Sequence, residues 1–563
     1  MLKNLKKKFK KKTPAKNKGE DVPLKDGEQK TQHAETSDAG EEESTADLRI
    51  ASDSVDEEVN GEKALEILRK ILSEHSNPED LDKAAEVLKR WSKLNDVTID
   101  KKEGIFPQNW LCEYLQEIDQ FVENLIPTLP VEGAHGSQLE QLQDFLKNTQ
   151  SKICYEVIRL TPVLEDAGLL VHLTDSYSRH LFTKLDLLLN RDLSVKETFC
   201  LLMWGKDVFF SSKLTVYDPL RLTGWIEKAK QKLLTQLQND ISRTLENILH
   251  YDEQQGHNED SMNEETFIRV HMDVTQCLNH AIVDAKKGGP TLMHAVQILC
   301  SEELCGFAQK YVDTENKRLK KLKFTEKNFV YLFRIINTCM QLRCCATQIS
   351  PDKNNSDDVK STISMLQKLE DNALSIVQKI MKSLAQDNLG SYFKKNNVDI
   401  DILMKAIHEH CSSLPETALE IKKIFVKMAY DCVSKVYLEC LLKTKFRKLE
   451  KLWGNAEEKI KEDVQRFHET FSELNGSVAQ QNQLLQRMSE VLLHSDVDAL
   501  KITCGVLFRD FPHESEQYVP DLLRWKGVLS ERQVKEVLDA IPDRSLNHRP
   551  VTCSLGLCCF CCK

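Results

Sequence analysis

Three short segments of the chain bring chemically competent side chains close together. The N-terminal string MLKNLKKKFKKK sets Lys3, Lys6, Lys7, Lys8, Lys10, Lys11 and Lys12 around Leu2, Leu5 and Phe9, which recur at intervals of three and four. As a helix, this string would put three apolar side chains on one side and ammonium groups around the rest, a shape that can lie on an anionic leaflet. At about 1 kcal/mol per basic residue near such a surface, even half of these lysines would support substantial binding to anionic phospholipids. A solubilising tail, a nuclear-import signal or an RNA contact are the competing readings of the same lysines. The second residue is Leu2, where N-myristoylation requires glycine, so that modification is excluded.

The C-terminal string CSLGLCCFCCK gathers Cys553, Cys558, Cys559, Cys561 and Cys562. Adjacent thiols cannot all converge on one tetrahedral zinc ion, and no histidine accompanies them. Prenylation needs cysteine at the fourth position from the end, which here is Phe560. Reversible palmitoylation of Cys558, Cys559, Cys561 and Cys562 is the preferred reading, and an exposed, oxidation-prone tail is the alternative. Acyl chains and a polybasic arm together would supply the two signals that stable anchoring needs.

The third segment is His408-Glu409-His410-Cys411. Histidines at i and i+2 do not share a helix face, so a surface position is expected and no metal site. Cys344-Cys345 and Cys300 with Cys305 are expected as buried apolar thiols. The chain has no phosphate-binding GxxxxGK followed by Ser or Thr, no GxGxxG, no HExxH and no GxSxG. The carboxylates of Glu457-Glu458-Lys459-Ile460-Lys461-Glu462-Asp463 alternate with lysines as on a solvated helix face. No catalytic residue, cofactor or metal is expected, and the chain reads as a non-enzyme.

The elements that carry these segments follow from composition and periodicity. With 20 Gly and 15 Pro in 563 residues, little material is left for a turn-rich β architecture, and helix is favoured. Residues 1–60 pass from lysine into Glu, Asp, Ser and Thr with few large apolar groups, and are read as a disordered arm. From Gly61 to about Pro542, apolar residues recur at three and four. Leu65, Leu68 and Leu72 mark one stripe, and Asn77 before Pro78 reads as the cap of the next, which runs through Leu81, Ala85, Leu88 and Trp91. Leu111, Leu115, Ile118, Val122 and Leu125 precede Pro127 and Pro130.

Leu139 to Leu160 make a longer stripe expected to end at Pro162, which cannot donate an amide hydrogen. Further stripes run from Trp225 to about Tyr251, around Val359 to Ile380, and from Tyr437 to Leu493. Ser530-Glu531-Arg532-Gln533 is a capping box that opens a last helix before Pro542. The fold class expected is all-α, an elongated rod of consecutive helical bundles between the arm and a short Cys-rich tail, 543–563. Polar connections suggest bundles at 61–251, 265–395 and 396–542.

The net charge of −10 argues against nucleic acid as a partner of the whole chain. No apolar signal-peptide core follows the N-terminal lysines and the body cysteines are scattered, so a reducing, cytoplasmic setting is expected. No apolar run approaches the roughly 20 residues needed to span a bilayer.

Several strings resemble the exocyst subunit 3 family, which includes tumour necrosis factor alpha-induced protein 2 and the subunit 3-like proteins. FRDFPHESEQYVPDLLRWKGVLS, 508–530, is similar to the family's stretch in which an aromatic-Pro pair precedes a Leu-Leu helix, a basic residue and Gly-x-Leu-Ser. YLFRIINTCMQLR, 331–343, is similar to its Tyr-rich helix, and LLMWGKDVFFSSKL, NLGSYFKK and VYLECLLK are weaker echoes in the right order. Trp204, Phe209, Tyr331, Leu522 and Leu523 in these strings are expected in the core. The resemblance implies vesicle tethering at the plasma membrane, with other exocyst subunits and SNARE proteins as partners. For the tumour necrosis factor alpha-induced branch it implies instead a small GTPase, phosphoinositides and membrane protrusions.

Overall fold

Spacing of three and four becomes helix wherever a buried partner face is available, and in the computed structural model every regular element among the described residues is helical. The described residues are 61–73, 81–90, 108–130, 137–210, 219–255, 263–351, 356–395, 399–481 and 483–541. In order they form α1 (Gly61–Leu72), α2 (81–90), α3 (Gln108–Leu125), α4 (Gln138–Asp166), α5 (Leu170–Leu189), α6 (Val195–Phe210) and α7 (Pro219–Gln255). Next come α8 (Glu264–Lys287), α9 (Pro290–Lys321), a single 3-10 turn, α10 (Phe329–Ile349), α11 (Asp357–Tyr392), α12 (Asp401–Ser412) and α13 (Leu419–Lys443). The last are α14 (Phe446–Trp453), α15 (Ala456–Gln481), α16 (Leu484–Leu493), α17 (Val497–Asp510), α18 (Pro512–Trp525) and α19 (Glu531–Asp539).

Local chemistry sets the ends. Asn263 accepts the amide of Thr266 at 2.8 Å to open α8, whose first turn is acidic and last turn basic, as the helix dipole favours. The Ser530 box forms as expected: Ser530 Oγ accepts from the Gln533 amide and Gln533 Oε1 accepts from the Ser530 amide at 2.9 Å. Gly168 closes α4 with φ +69°, and the amides of Gly168 and Leu169 donate back to Glu165 and Leu164, a left-handed stop that a β-carbon would strain. At Gly205 the need is steric, because an added β-carbon would lie 2.6 Å from the Trp225 ring where α6 packs on α7.

Two expectations fail here. Pro162 does not end its helix; α4 continues to Asp166 with the proline inside. The carbonyl deprived of a donor is that of Ile158, whose side chain is 75% exposed, so water can replace the missing amide. The stripe from Tyr437 to Leu493 is not continuous either. It is cut into α13, α14, α15 and α16, with Gly454 at φ +81° breaking the chain after Trp453.

Packing advances along the chain. Alternate helices meet in succession, α1 with α3, α3 with α5, α5 with α7, α7 with α9, α9 with α11, α11 with α13, and α13 with α15, and consecutive helices also pair, most extensively α10 with α11. Beyond these, α16 to α19 pack on one another and return to α13 through α16 and α18. Each helix therefore buries its apolar face against helices close in sequence, the succession expected of consecutive bundles. α10 is buried on most of its circumference, from Phe329 through Ile349, against α8, α9 and α11. Leu522 and Leu523 are buried as expected, Trp204 and Tyr331 are half-buried against the core, and the side chain of Phe209 lies outside the described residues.

Candidate functional site

Two groups of side chains that converge inside the helical body make the strongest electrostatic arrangements in it. In the first, Asp252 of α7, Glu315 and Arg318 of α9, and Tyr331 and Arg334 of α10 meet between three helices. Arg334 Nη1 donates to Asp252 Oδ1 at 2.5 Å, Arg318 Nη1 donates to Glu315 Oε1 at 2.7 Å, and the Tyr331 hydroxyl donates to Glu315 Oε2 at 2.5 Å. Arg334 is 1% exposed and Glu315 fully buried. Burial by itself would weaken the proton's hold on Arg334, but Asp252, Tyr311 and Glu315 outweigh it and push its pKa up. Burial, then the Glu315 charge, pushes the Tyr331 phenol up. Two carboxylates face two guanidinium groups, so the group is charge-balanced.

The second group joins α11, α13 and α15. Asp463 is 1% exposed and accepts from the hydroxyls of Tyr392, at 2.7 and 2.9 Å, and Tyr437, at 2.8 Å. Lys459 Nζ stands 3.8 Å away. Burial pushes the Asp463 carboxyl up to about 6, against the opposing pull of the two phenols and Lys459. Phe393, Trp453 and Phe467 ring this site, with centroids 5.1–5.5 Å from their aromatic neighbours. A carboxyl titrating near neutrality is what general acid/base chemistry needs, but a base must also reach a substrate. Here the oxygens are taken by phenols in the interior, and the arrangement acts as a joint between helices.

A separate recess of about 350 Å³ among the described residues is lined by Pro130, Gln138, Gln141, Leu142, Leu188, Arg191, Asp192, Leu193 and Glu197. Two of its charged groups are engaged locally: Arg191 donates to the Pro130 carbonyl at 2.6 Å, and Glu197 accepts from the Ser194 amide and hydroxyl at 2.8 Å. None of the perturbed groups above lines it.

The sequence-derived candidates fall on other ground. Leu2, Leu5, Phe9 and the seven lysines of the N-terminal string, together with Cys558, Cys559, Cys561 and Cys562, lie outside the described residues. His408 is exposed, whereas His410 sits beside Phe329 and 3.3 Å from Glu326, so the two rings face different surroundings as their spacing requires. Among the described residues, no three His, Cys, Asp or Glu side chains are placed to hold a metal ion. Cys300 and Cys345 are buried, while Cys305 and Cys344 are half-buried; burial pushes the Cys300 thiol up to about 12. No helix among the described residues is long and apolar enough to cross a membrane.

Sequence reading missed both buried polar groups, because their members stand 82 residues apart in one and 71 in the other. The solvated charge run expected at 457–463 does not extend to Asp463, which is the inward member of a helix whose Glu458, Lys461 and Glu462 face out. The usable signal was its place in the apolar stripe of Ile460, Val464 and Phe467.

No curated protein sequence matches the chain. Among solved structures, the crystal structure of M-Sec is similar, with 15% identity and a TM-score of 0.62 over 87% of this chain and 88% of that one. A circular tandem repeat protein with novel repeat topology aligns at 12% identity over 85% of this chain and 96% of that one, but with a TM-score of 0.15 it carries no argument. The M-Sec likeness establishes a shared fold. The profile of the exocyst complex component Sec6 family matches residues 48–531, most of the chain. On that match, the chain belongs to the exocyst complex component Sec6 family.

Proposed function

We propose that the protein is a non-enzymatic tethering scaffold of exocytosis, cytoplasmic and peripheral at the plasma membrane, which holds vesicles for docking through other exocyst subunits and SNARE proteins. The observation that carries this reading is the family match across residues 48–531. Helices that bury their faces against near neighbours in sequence leave their outer faces along the chain for partners, and the catalytic motifs sought in the sequence are missing from it. The finer placement within the subunit 3 group rests on the strings at 331–343 and 508–530. Bundles at 61–251, 265–395 and 396–542 would carry the partner surfaces. Lys3, Lys6, Lys7, Lys8, Lys10, Lys11 and Lys12 would hold anionic phospholipid, and Cys558, Cys559, Cys561 and Cys562 would accept acyl chains.

Affinity purification from cells with mass spectrometry tests this, using the intact chain beside a variant with the seven lysines changed to Gln. Recovery of several exocyst subunits, with loss of membrane localisation in the variant, is the expected result. Recovery of a small GTPase and actin regulators without those subunits would replace the tethering role with that of an effector remodelling membrane into protrusions.

A further inference from the structure

In a chain whose net charge is −10, residues 317–327 hold six basic side chains against one acidic, Glu326. They form the last turn of α9 and the turn that leads to α10. Arg318 faces inward to the buried group around Glu315. Lys317, Lys320, Lys321, Lys323 and Lys327 are all exposed, and no ion pair among the described residues engages them. The one acidic side chain, Glu326, is turned toward His410 at 3.3 Å. Between these lysines stands Phe324, 54% exposed.

The exposure of that ring is built into the turn. Leu322 points toward the core and Asn328 is 4% exposed, fixing the turn from both sides. Thr325 and Asn328 form a capping box in which Asn328 Oδ1 accepts from the Thr325 amide at 3.2 Å and hydroxyl at 2.9 Å. A rigid turn therefore holds a phenyl ring in water, which costs hydrophobic free energy with no packing return. The dipole at the end of α9 accounts for Lys320 and Lys321, which lie in its last turn, but not for Lys323, Lys327 or the ring beyond it.

We propose that this turn is a membrane-contact site, in which Phe324 enters the interfacial layer of an anionic leaflet while the surrounding lysines engage lipid head groups. Lysine stems and an aromatic ring match a surface that is apolar a few ångströms below its charge, whereas an acidic protein segment would satisfy the ammonium groups and leave the ring unexplained. The inference rests on the reading that the protein works at a membrane, and it places a second contact on the folded body in addition to the N-terminal lysines.

The test is sedimentation of the full chain with phosphatidylcholine vesicles, with and without phosphatidylserine, across a salt series. Three variants stand beside the intact protein: Phe324→Ala; Lys320, Lys321, Lys323 and Lys327 all changed to Gln; and the seven-lysine N-terminal change. All of these side chains are exposed or N-terminal to α1, and unchanged thermal melting confirms that the fold is kept. The expected result is a loss of about tenfold or more in affinity for anionic vesicles in the four-lysine variant, with weaker salt dependence. For Phe324→Ala, a smaller loss is expected that persists at high salt. If both turn variants bind as the intact chain does and only the N-terminal variant fails, the turn proposal is overturned and the membrane reading stands. If the intact chain ignores both vesicle types, the membrane reading itself falls. If the turn variants keep vesicle binding and lose capture of soluble polyglutamate instead, the surface reads acidic protein and the lipid assignment is overturned.

Discussion

Where α7, α9 and α10 meet, two carboxylates are buried with two guanidinium groups; where α11, α13 and α15 meet, one carboxylate is buried with two phenols and an ammonium group 3.8 Å away. Both joints tie together residues 71 or more positions apart on neighbouring helices, and both remove charge from water. The first balances its charges, and its Arg334 holds its proton more tightly than usual. The second leaves a negative charge compensated mostly by neutral donors, and its Asp463 is pushed up to about 6. Charge balance, more than depth, decides whether a buried joint responds to pH.

The largest effect is expected from breaking the balance. Arg334→Met removes one guanidinium and leaves Asp252 and Glu315 to share Arg318, 3.6 and 2.7 Å away, which should destabilise the protein by about 3–5 kcal/mol near neutral pH, read as the loss of urea resistance in α10 by hydrogen exchange. The comparison sharpens if part of that loss is recovered on acidification, because the stranded carboxyls would then take protons. A pH-independent loss would show that packing, not charge, was at stake.

Next is Asp463→Asn, which keeps the shape and one oxygen for both phenols but replaces a charged acceptor with a neutral amide, whose NH2 group cannot accept the second contact of Tyr392. It should cost about 1–3 kcal/mol at neutral pH by turning charge-assisted bonds into neutral ones, measured by thermal melting. A melting temperature equal to that of the intact chain would show that the carboxylate's charge adds nothing to the phenol bonds.

The pH response itself is smaller. The folded carboxyl of Asp463 sits at about 6, above its ordinary value, so the folded state binds the proton more tightly. Its contribution to stability is fully present below the unfolded pKa of about 4 and is lost as pH rises through about 6. Acidifying from pH 7.5 to pH 5 should therefore stabilise the joint by about 1 kcal/mol. Asp431, also pushed up to about 6 by burial, adds to the same slope, so the difference between the intact chain and Asp463→Asn isolates the Asp463 share. Equal slopes in the two proteins would remove Asp463 as the titrating group.

Smallest is Tyr331→Phe. Glu315 keeps Arg318 at 2.7 Å, so loss of one phenol should cost below about 1 kcal/mol in a melting experiment, less than Tyr437→Phe costs at the joint with fewer partners. The reverse order would mean that the charge-balanced joint depends on its tyrosine.

Local sequence chemistry is legible where it acts within a few residues. The Ser530-Gln533 box, Pro512 at the start of α18 after Phe511, and the buried Leu522-Leu523 pair could be read directly. Pro162 shows the limit of that reading. A missing amide stops a helix only if nothing else can satisfy the carbonyl it would have served, and on the exposed side of α4 that carbonyl is open to solvent. The turn at Phe324 was written in the sequence as lysines interleaved with apolar residues, but that pattern does not say which apolar residue faces out. Leu322 turns in and Phe324 turns out where the chain leaves α9, just before the Thr325-Asn328 box that caps the next turn.

By itself, the sequence determined the helical class, many of the helix ends and the family resemblance, because spacing of three and four, caps and short strings are properties of neighbouring residues. Only the tertiary structure decided that Asp463 lies inward among two phenols, that Arg334 closes on Asp252 across 82 positions, and that a phenyl ring is held in water among exposed lysines. Those outcomes depend on which helix faces meet, and burial, which sets the strength of a charge, is a property of the meeting and not of any one segment.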